Sequence, residues 1–114
     1  VLSLFRPAHG AIQLAFSLKE KRYGVLIQTQ ENENVTAVLA GTVVHVNYEI
    51  DNTYTIMVQH ANYLSVYKNM TKTLKAVGDK VQAGETLAIM GELPLWFELW
   101  QDGQPVNPEE VIAF

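Results

Sequence analysis

The chain has 114 residues, 48% of them hydrophobic and 18% charged, which is the composition of a folded domain with a substantial core. Its formal net charge of −4 argues against a nucleic acid or an anionic membrane as partner, and without cysteine it has neither a disulfide framework nor a thiolate metal site. No stretch has the length of a membrane span or the composition of a signal peptide. Because the sequence begins at Val1, we expect it to be a piece of a longer protein.

Short apolar and β-branched runs recur along the chain and are separated by turn sequences, which is typical of an all-β domain. Strands are predicted at residues 24–29, 35–39, 42–48, 54–59, 63–68, 86–90 and 95–100. Apolar and polar residues alternate in several of them, so we expect one face of each to be buried. The closing residues 107–112 are predicted to form a short helix, with Asn107 as its cap and Pro108 at its first position.

Residues 77–88 read VGDKVQAGETLA, and this segment predicts a tight reversal. Gly78 and Gly84 can adopt a positive φ there without steric penalty. We expect Val77, Val81 and Leu87 to point inward around the reversal.

Four segments carry a family resemblance through their order along the chain. They are LAGTVV at 39–44, IMVQH with YLSVYKNM at 56–60 and 63–70, VGDKVQAGETLA at 77–88, and LWFEL with DGQPVNP at 95–99 and 102–108. The set resembles the LytM/lysostaphin-type peptidoglycan endopeptidases. The resemblance implies a compact antiparallel, β-sandwich-like fold of the duplicated-hybrid-motif type. It also implies one domain across residues 1–114, with 1–21 as an N-terminal lead-in and 22–114 as the core of the resemblance.

An active member of that family holds one zinc ion with two histidines and an aspartate and uses two further histidines in catalysis. Matching Gly24 to the glycine of the family's His-x-Gly-x-Asp places Arg22 and Leu26 at ligand positions. Matching Phe97-Glu98 to the residues after His-x-His places Pro94 and Trp96 there, and Asn69 replaces the histidine of Tyr-x-His. An arginine repels a cation, and leucine, proline and tryptophan offer no lone pair. The resemblance therefore implies a non-catalytic domain without metal or other cofactor, whose vacated groove is lined by Arg22, Leu26, Asn69, Pro94 and Trp96.

The predicted strand at 95–100 carries two tryptophans, and the face on which each lies decides whether it can line the groove. Phe97 and Leu99 are expected to face the core, and Trp96, Glu98 and Trp100 the opposite face. Two interpretations of Trp96 stay open: it contacts a partner, or it fills the hole left by the metal.

The remaining histidines and serines predict no second site. His9, His45 and His60 lie on separate segments without metal-ligand spacing, and each is expected to be solvent-facing or hydrogen-bonded. Ser65 has no nucleophile motif and no nearby histidine in such a context.

The resemblance implies a binding or regulatory module outside the cytoplasm, in the periplasm or cell envelope of a bacterium. Degenerate relatives bind and activate cell-wall amidases or are assembly parts of envelope machines, so the expected partner is an envelope protein such as a cell-wall hydrolase, or peptidoglycan. Two alternatives remain: an active cell-wall hydrolase with an unrecognised site, and a lipoyl- or biotinyl-type carrier suggested by the glycine turn. The carrier is the less favoured, because no lysine stands at a hairpin tip before that turn.

Overall fold

A computed structural model describes residues 4–114 and shows an all-β fold, as the sequence predicts. Its strands are β1 (Ala11–Leu14), β2 (Val25–Gln28), β3 (Asn34–Thr36), β4 (Gly41–Tyr48), β5 (Tyr54–His60), β6 (Tyr63–Thr73), β7 (Lys80–Val81), β8 (Thr86–Met90), β9 (Leu95–Gln101) and β10 (Gln104–Val106). Within the same residues the one helical element is a single 3₁₀ turn, Pro108–Glu110. None of residues 4–114 forms a helix with the length and apolar character needed to cross a membrane.

The strands form an antiparallel sheet in the order β1-β2-β9-β6-β5-β4-β7. The longest strand, β6, is the branch point. One of its edges pairs with β5, and the other pairs first with β9 and then with β8, which also pairs with β3. The far edge of β9 is shared by β2 and β10. This arrangement puts β9 in the middle of the sheet, between β2 and β6.

The core lies on one face of this sheet. In β9, Leu95, Phe97 and Leu99 are fully buried, whereas the residues between them are half-buried, so the predicted alternation is confirmed. Tyr67 packs on Phe97 with ring centroids 5.3 Å apart. Its hydroxyl accepts a hydrogen bond of 3.2 Å from the backbone N–H of Val38, and burial raises the pKa of Tyr67 to about 12. The phenol is therefore neutral and joins β6 to the segment after β3.

The predicted elements differ from the structure mainly where they are short. The strands β1, β7 and β10 were not predicted, because two to four residues are too few to show a period. The strand expected at 35–39 ends at Thr36, and β6 continues five residues beyond its predicted end. In β4 a bulge after Val43 breaks the expected alternation and leaves both Val44 and His45 exposed. The segment before residue 22 also contributes to the core, through Leu4 and Ala8.

The closing segment is shorter than the helix expected at 107–112, although its cap is as predicted. Asn107 accepts a hydrogen bond of 3.0 Å from the backbone N–H of Glu109, and Pro108 stands at the first position. The turn then stops at Glu110.

The glycine-rich reversal confirms the expected backbone and corrects one side chain. Gly78 and Gly84 have φ of 95° and 81°. Val81 and Leu87 are buried, but the expectation that Val77 points inward is wrong, since its side chain is 61% exposed. The physical reason is the turn itself: Gly78 and Asp79 bond through their backbones to Val43 of β4, and this holds the preceding residue at the surface.

Replacing Gly78 by valine tests this interpretation of the turn. A Cβ at this position has no atom within 4 Å, so steric contact costs nothing and the positive φ alone is strained. We expect Gly78→Val to lower the free energy of unfolding by about 1 kcal/mol or more, measured as the denaturant midpoint. Val77→Ala, at the exposed neighbouring position, is the matched control and should leave the midpoint nearly unchanged. Equal midpoints for Gly78→Val and the parent chain would contradict this role.

Candidate functional site

A row of side chains crosses the sheet on the face opposite the core, and two of the predicted groove residues belong to it. Leu26 of β2 and Lys68 of β6 are the direct cross-strand neighbours of Trp96 in β9. Directly opposed residues of antiparallel strands put their side chains on the same face. Leu14 and Thr55 extend the row to either side. The structure thus brings Leu26 and Trp96 together, although 70 positions separate them in the sequence.

The indole of Trp96 is held in place by Glu98. Trp96 Nε1 donates to one carboxylate oxygen at 2.7 Å, and Trp100 Nε1 donates to the other at 2.8 Å. Gly24 gives the ring its space, because a Cβ there would lie 2.7 Å from Trp96 Cζ2 and 2.9 Å from Glu98 Cγ. The result is a half-buried tryptophan whose ring is fixed by a charge-assisted hydrogen bond. The alternation in the sequence predicts that these three β9 residues share one face, but it carries no signal for the bonds between them.

Asn69 and Pro94 form a second pair at the end of the row. Asn69 Nδ2 donates to the carbonyl oxygen of Pro94 at 2.9 Å. Lys68 pairs with Thr55 and Met70 with Tyr54, so Asn69 is the extra residue of a bulge in β6. Its φ of 81° is one that asparagine tolerates better than most residues. The side chain therefore fastens the bulge to the segment that leads into β9.

Arg22 is anchored within its own loop. Its backbone and that of Ser17 exchange two hydrogen bonds of 2.9 Å, and its Nε donates to the carbonyl oxygen of Ala15 at 2.8 Å. Arg22 as a whole residue is half-buried, and its guanidinium is held at one nitrogen. Of the five predicted groove residues, the structure joins Leu26 to Trp96 and Asn69 to Pro94, and it records no hydrogen bond from Arg22 to either pair.

The side chains at these five positions do not fit a zinc ion. Zinc in proteins takes imidazole nitrogen, carboxylate oxygen or thiolate sulfur. None of these groups is present: Trp96 and Asn69 use their N–H groups as hydrogen-bond donors, and Leu26 and Pro94 have no donor atom in their side chains. Across residues 4–114 no group of three or more histidines, aspartates and glutamates is placed to hold a metal. No step of metal-assisted hydrolysis can be assigned to these residues.

A histidine–serine pair lies inside the fold. His60 Nε2 is 2.7 Å from Ser65 Oγ, and His60 Nδ1 is 2.9 Å from the carbonyl oxygen of Ala40. Of the two expectations for His60, hydrogen bonding is confirmed, and the expectation that Ser65 has no histidine nearby is wrong. The contact follows from the register of the β5–β6 hairpin, which the sequence alone does not give. His60 pairs with Tyr63 and therefore lies diagonally across from Ser65. His9 and His45 are exposed, and His9 Nδ1 lies 3.1 Å from Glu33.

The pair is structural, because no substrate can reach it. Ser65 is fully buried and His60 is 3% exposed. A carbonyl only accepts, so Nδ1 of the ring carries the proton and Nε2 accepts from the serine hydroxyl. Burial lowers the pKa of His60, which keeps the ring in this neutral form. Gly41 permits the approach, since a Cβ there would lie 2.8 Å from Nδ1.

Comparison with known sequences finds a match to the model of peptidase family M23 over residues 20–108. The murein hydrolase activator EnvC of Escherichia coli strain K12 is 29% identical over an alignment of 93 residues, and the match covers 75% of this chain and 22% of EnvC. The chain thus spans about a fifth of that relative.

Two solved structures share the fold. Csd3 of Helicobacter pylori superimposes with a TM-score of 0.88 at 20% identity, over 98% of this chain and 33% of Csd3. A chain of the SpoIIQ–SpoIIIAH pore-forming complex superimposes with a TM-score of 0.85 at 19% identity, over 97% of this chain and 91% of the other. The same architecture therefore occurs within a longer chain and within a protein assembly.

The buried histidine predicts how stability depends on pH. Because burial lowers the pKa of His60 from its ordinary value of 6.5, the unfolded chain takes up the proton first as pH falls. The stabilisation is complete above pH 6.5 and is lost as pH falls from there through the lower pKa of the folded state. We expect a loss of up to about 1.4 kcal/mol per pH unit in this window, measured by denaturant unfolding from pH 7.5 to 5.

His60→Gln should flatten this pH profile, and the matched control His9→Gln, at a side chain that is 73% exposed, should keep it. Parallel profiles for His60→Gln and the parent chain would show that another group governs the loss.

Proposed function

The chain belongs to peptidase family M23, and from that premise we propose that it is a non-catalytic member serving as a binding or regulatory module of the bacterial cell envelope. One observation supports the proposal: Leu26 and Trp96, which the resemblance predicts at ligand positions, are cross-strand neighbours, and the Trp96 indole is bonded to Glu98. A zinc ligand needs a lone pair that can point to the ion. These residues instead offer the indole of Trp96, the alkyl side chain of Leu26 and the amide of Asn69, which already donates to the Pro94 carbonyl.

The floor that Leu26 and Trp96 form has the properties of a protein-binding anchor. Tryptophan supplies a large contact area, and a ring that is already fixed loses little conformational entropy on binding. Glu98 fixes Trp96 before any partner arrives. Arg22, held at Nε only, leaves the outer edge of its guanidinium to pair with a carboxylate of a partner. We propose that these residues hold a segment of an envelope protein while the chemistry is done elsewhere.

The relatives support a protein partner of a particular class. EnvC is named a murein hydrolase activator, and SpoIIQ is found in a complex with SpoIIIAH. We propose on this basis that the partner is a cell-wall hydrolase in the periplasm or envelope, and that the chain increases the activity of that hydrolase. Direct binding of peptidoglycan in the same groove is the second form that this binding role can take.

An active hydrolase is the competing enzyme function, and nothing in the described residues supports it. The one nucleophile beside a histidine, Ser65, lies in the core with no exposed surface. The five residues that the resemblance predicts at the catalytic positions include no group able to ligate zinc or to transfer a proton at neutral pH.

Release of dye from labelled cell walls tests the proposal. The chain alone, with and without added zinc, should release no dye, and together with a cell-wall hydrolase of the source organism it should raise the release above that of the hydrolase alone. Trp96→Ala should remove most of this increase, since truncating a central anchor costs roughly 2 kcal/mol of binding. Zinc-dependent release by the chain alone would overturn the proposal in favour of an enzyme.

Three variants separate a binding role of Trp96 from a packing role. Trp100→Ala is the matched control, because it removes the same kind of bond to Glu98 without opening the row between Leu26 and Lys68. It should retain the activation. If Trp96→Ala lowers the unfolding free energy strongly while Arg22→Ala still activates, the ring only fills a cavity and the partner surface lies elsewhere.

A further inference from the structure

Asn69, one of the predicted groove residues, lies between two adjoining depressions of the surface. Both are lined by Asp51, Thr53 and Asn69. Glu92 and Leu93 border one of them, and Glu49 and Ile50 border the other. The surface formed by Glu49, Ile50, Asp51, Glu92 and Leu93 is called the Asn69 rim below.

Two large apolar side chains of the Asn69 rim are exposed. Ile50 has a relative exposure of 104% and Leu93 of 45%. The loop that carries Ile50 is well bonded: Glu49 N–H donates to the Thr53 carbonyl at 2.8 Å, and the Asp51 carboxylate accepts from both the backbone and the hydroxyl of Thr53. The isoleucine is therefore held outward by an ordered turn. Ile50 and Leu93 line the two depressions that share Asp51, Thr53 and Asn69, and they provide the apolar part of the rim.

The charges around these apolar groups have one sign. Glu31, Glu49, Asp51 and Glu92 line the two depressions, and Lys68 is the single cation among the lining residues. Within the described residues the recorded ion pairs are His9–Glu33 and Lys75–Glu85, so none of these four acids takes part in one. Glu49 is also fixed, since it accepts from Thr55 Oγ1 at 2.8 Å. Clustered like charges create a negative potential that attracts a basic partner.

We propose that the Asn69 rim binds a segment of a protein partner in which an apolar side chain is flanked by lysines or arginines. Charge complementarity selects this occupant. An anionic membrane would be repelled by the acids, and a second copy of this chain brings a further net charge of −4. The inference rests on the proposed function, because Asn69 stands at one of the vacated positions, and it adds the chemistry of the partner at that end of the groove.

Two synthetic peptides of equal length and equal leucine content test the rim, one with lysines flanking each leucine and one with glutamates. Binding is measured by Trp fluorescence and calorimetry at low and high salt. The lysine peptide should bind and weaken as salt rises, and the glutamate peptide should not bind. The combined variant Glu49→Gln, Asp51→Asn and Glu92→Gln should weaken lysine-peptide binding roughly tenfold.

Matched controls separate the rim from general electrostatic attraction. Asp102→Asn, Glu109→Gln and Glu110→Gln together make the same change in net charge at exposed positions outside the rim and should leave binding unchanged. Ile50→Ala should weaken binding, whereas Leu18→Ala, at another exposed side chain, should not. Equal losses in the rim variant and the remote control would overturn the proposal. So would binding of anionic vesicles, or a self-association of the chain that the rim variant abolishes.

The hydrolase assay separates this inference from the proposed function. Loss of activation in both Trp96→Ala and the rim variant supports both. If Trp96→Ala loses activation and the rim variant keeps it, the proposed function of the groove is supported. The same result overturns the proposal that the rim is part of the partner site. Activation that survives both variants overturns both the groove around Trp96 and the rim as the partner site.

Discussion

The antiparallel register that holds β9 between β2 and β6 is the constraint on which the rest of the structure depends. It buries Phe97 and Leu99 in the core and, on the opposite face, puts Trp96 between Leu26 and Lys68. A slip of one residue would exchange the two faces of the strand, so the packing of the core also fixes the floor of the groove. Stability and the site are therefore specified by the same hydrogen bonds.

Hydrogen bonds and packing contacts hold the residues that the resemblance predicts at the family's metal positions. Trp96 and Trp100 share the two oxygens of Glu98, and Asn69 closes onto the carbonyl of Pro94. The N–H groups of Trp96, Trp100 and Asn69 thus each have an acceptor, which is what partly buried polar groups require. The groove combines an apolar floor with an acidic rim, so apolar contact and charge can each contribute to the choice of partner.

The sequence predicts much of this fold because its long strands have clear boundaries and alternation, as in the burial pattern of β9. It also places Gly78 and Gly84 at positive φ, because only a few backbone conformations suit such a turn. It does not predict that Val77 is exposed or that His60 bonds Ser65, since both depend on pairing between strands. The five groove positions stay a prediction from the family motif, and the bond from Asn69 to Pro94 and the anchoring of Arg22 needed coordinates.

The most direct test of the central claim, that substitution removed the metal chemistry while the scaffold kept its geometry, is the zinc content of the purified chain by elemental analysis. The parent chain should contain far less than one zinc ion per chain. The variant Arg22→His, Leu26→Asp, Trp96→His, once shown to be folded, should take up about one, because it restores a donor set of known zinc chemistry at the positions that the resemblance predicts as ligands. About one chelator-removable zinc in the parent chain would contradict the claim, and so would a folded triple variant that binds none.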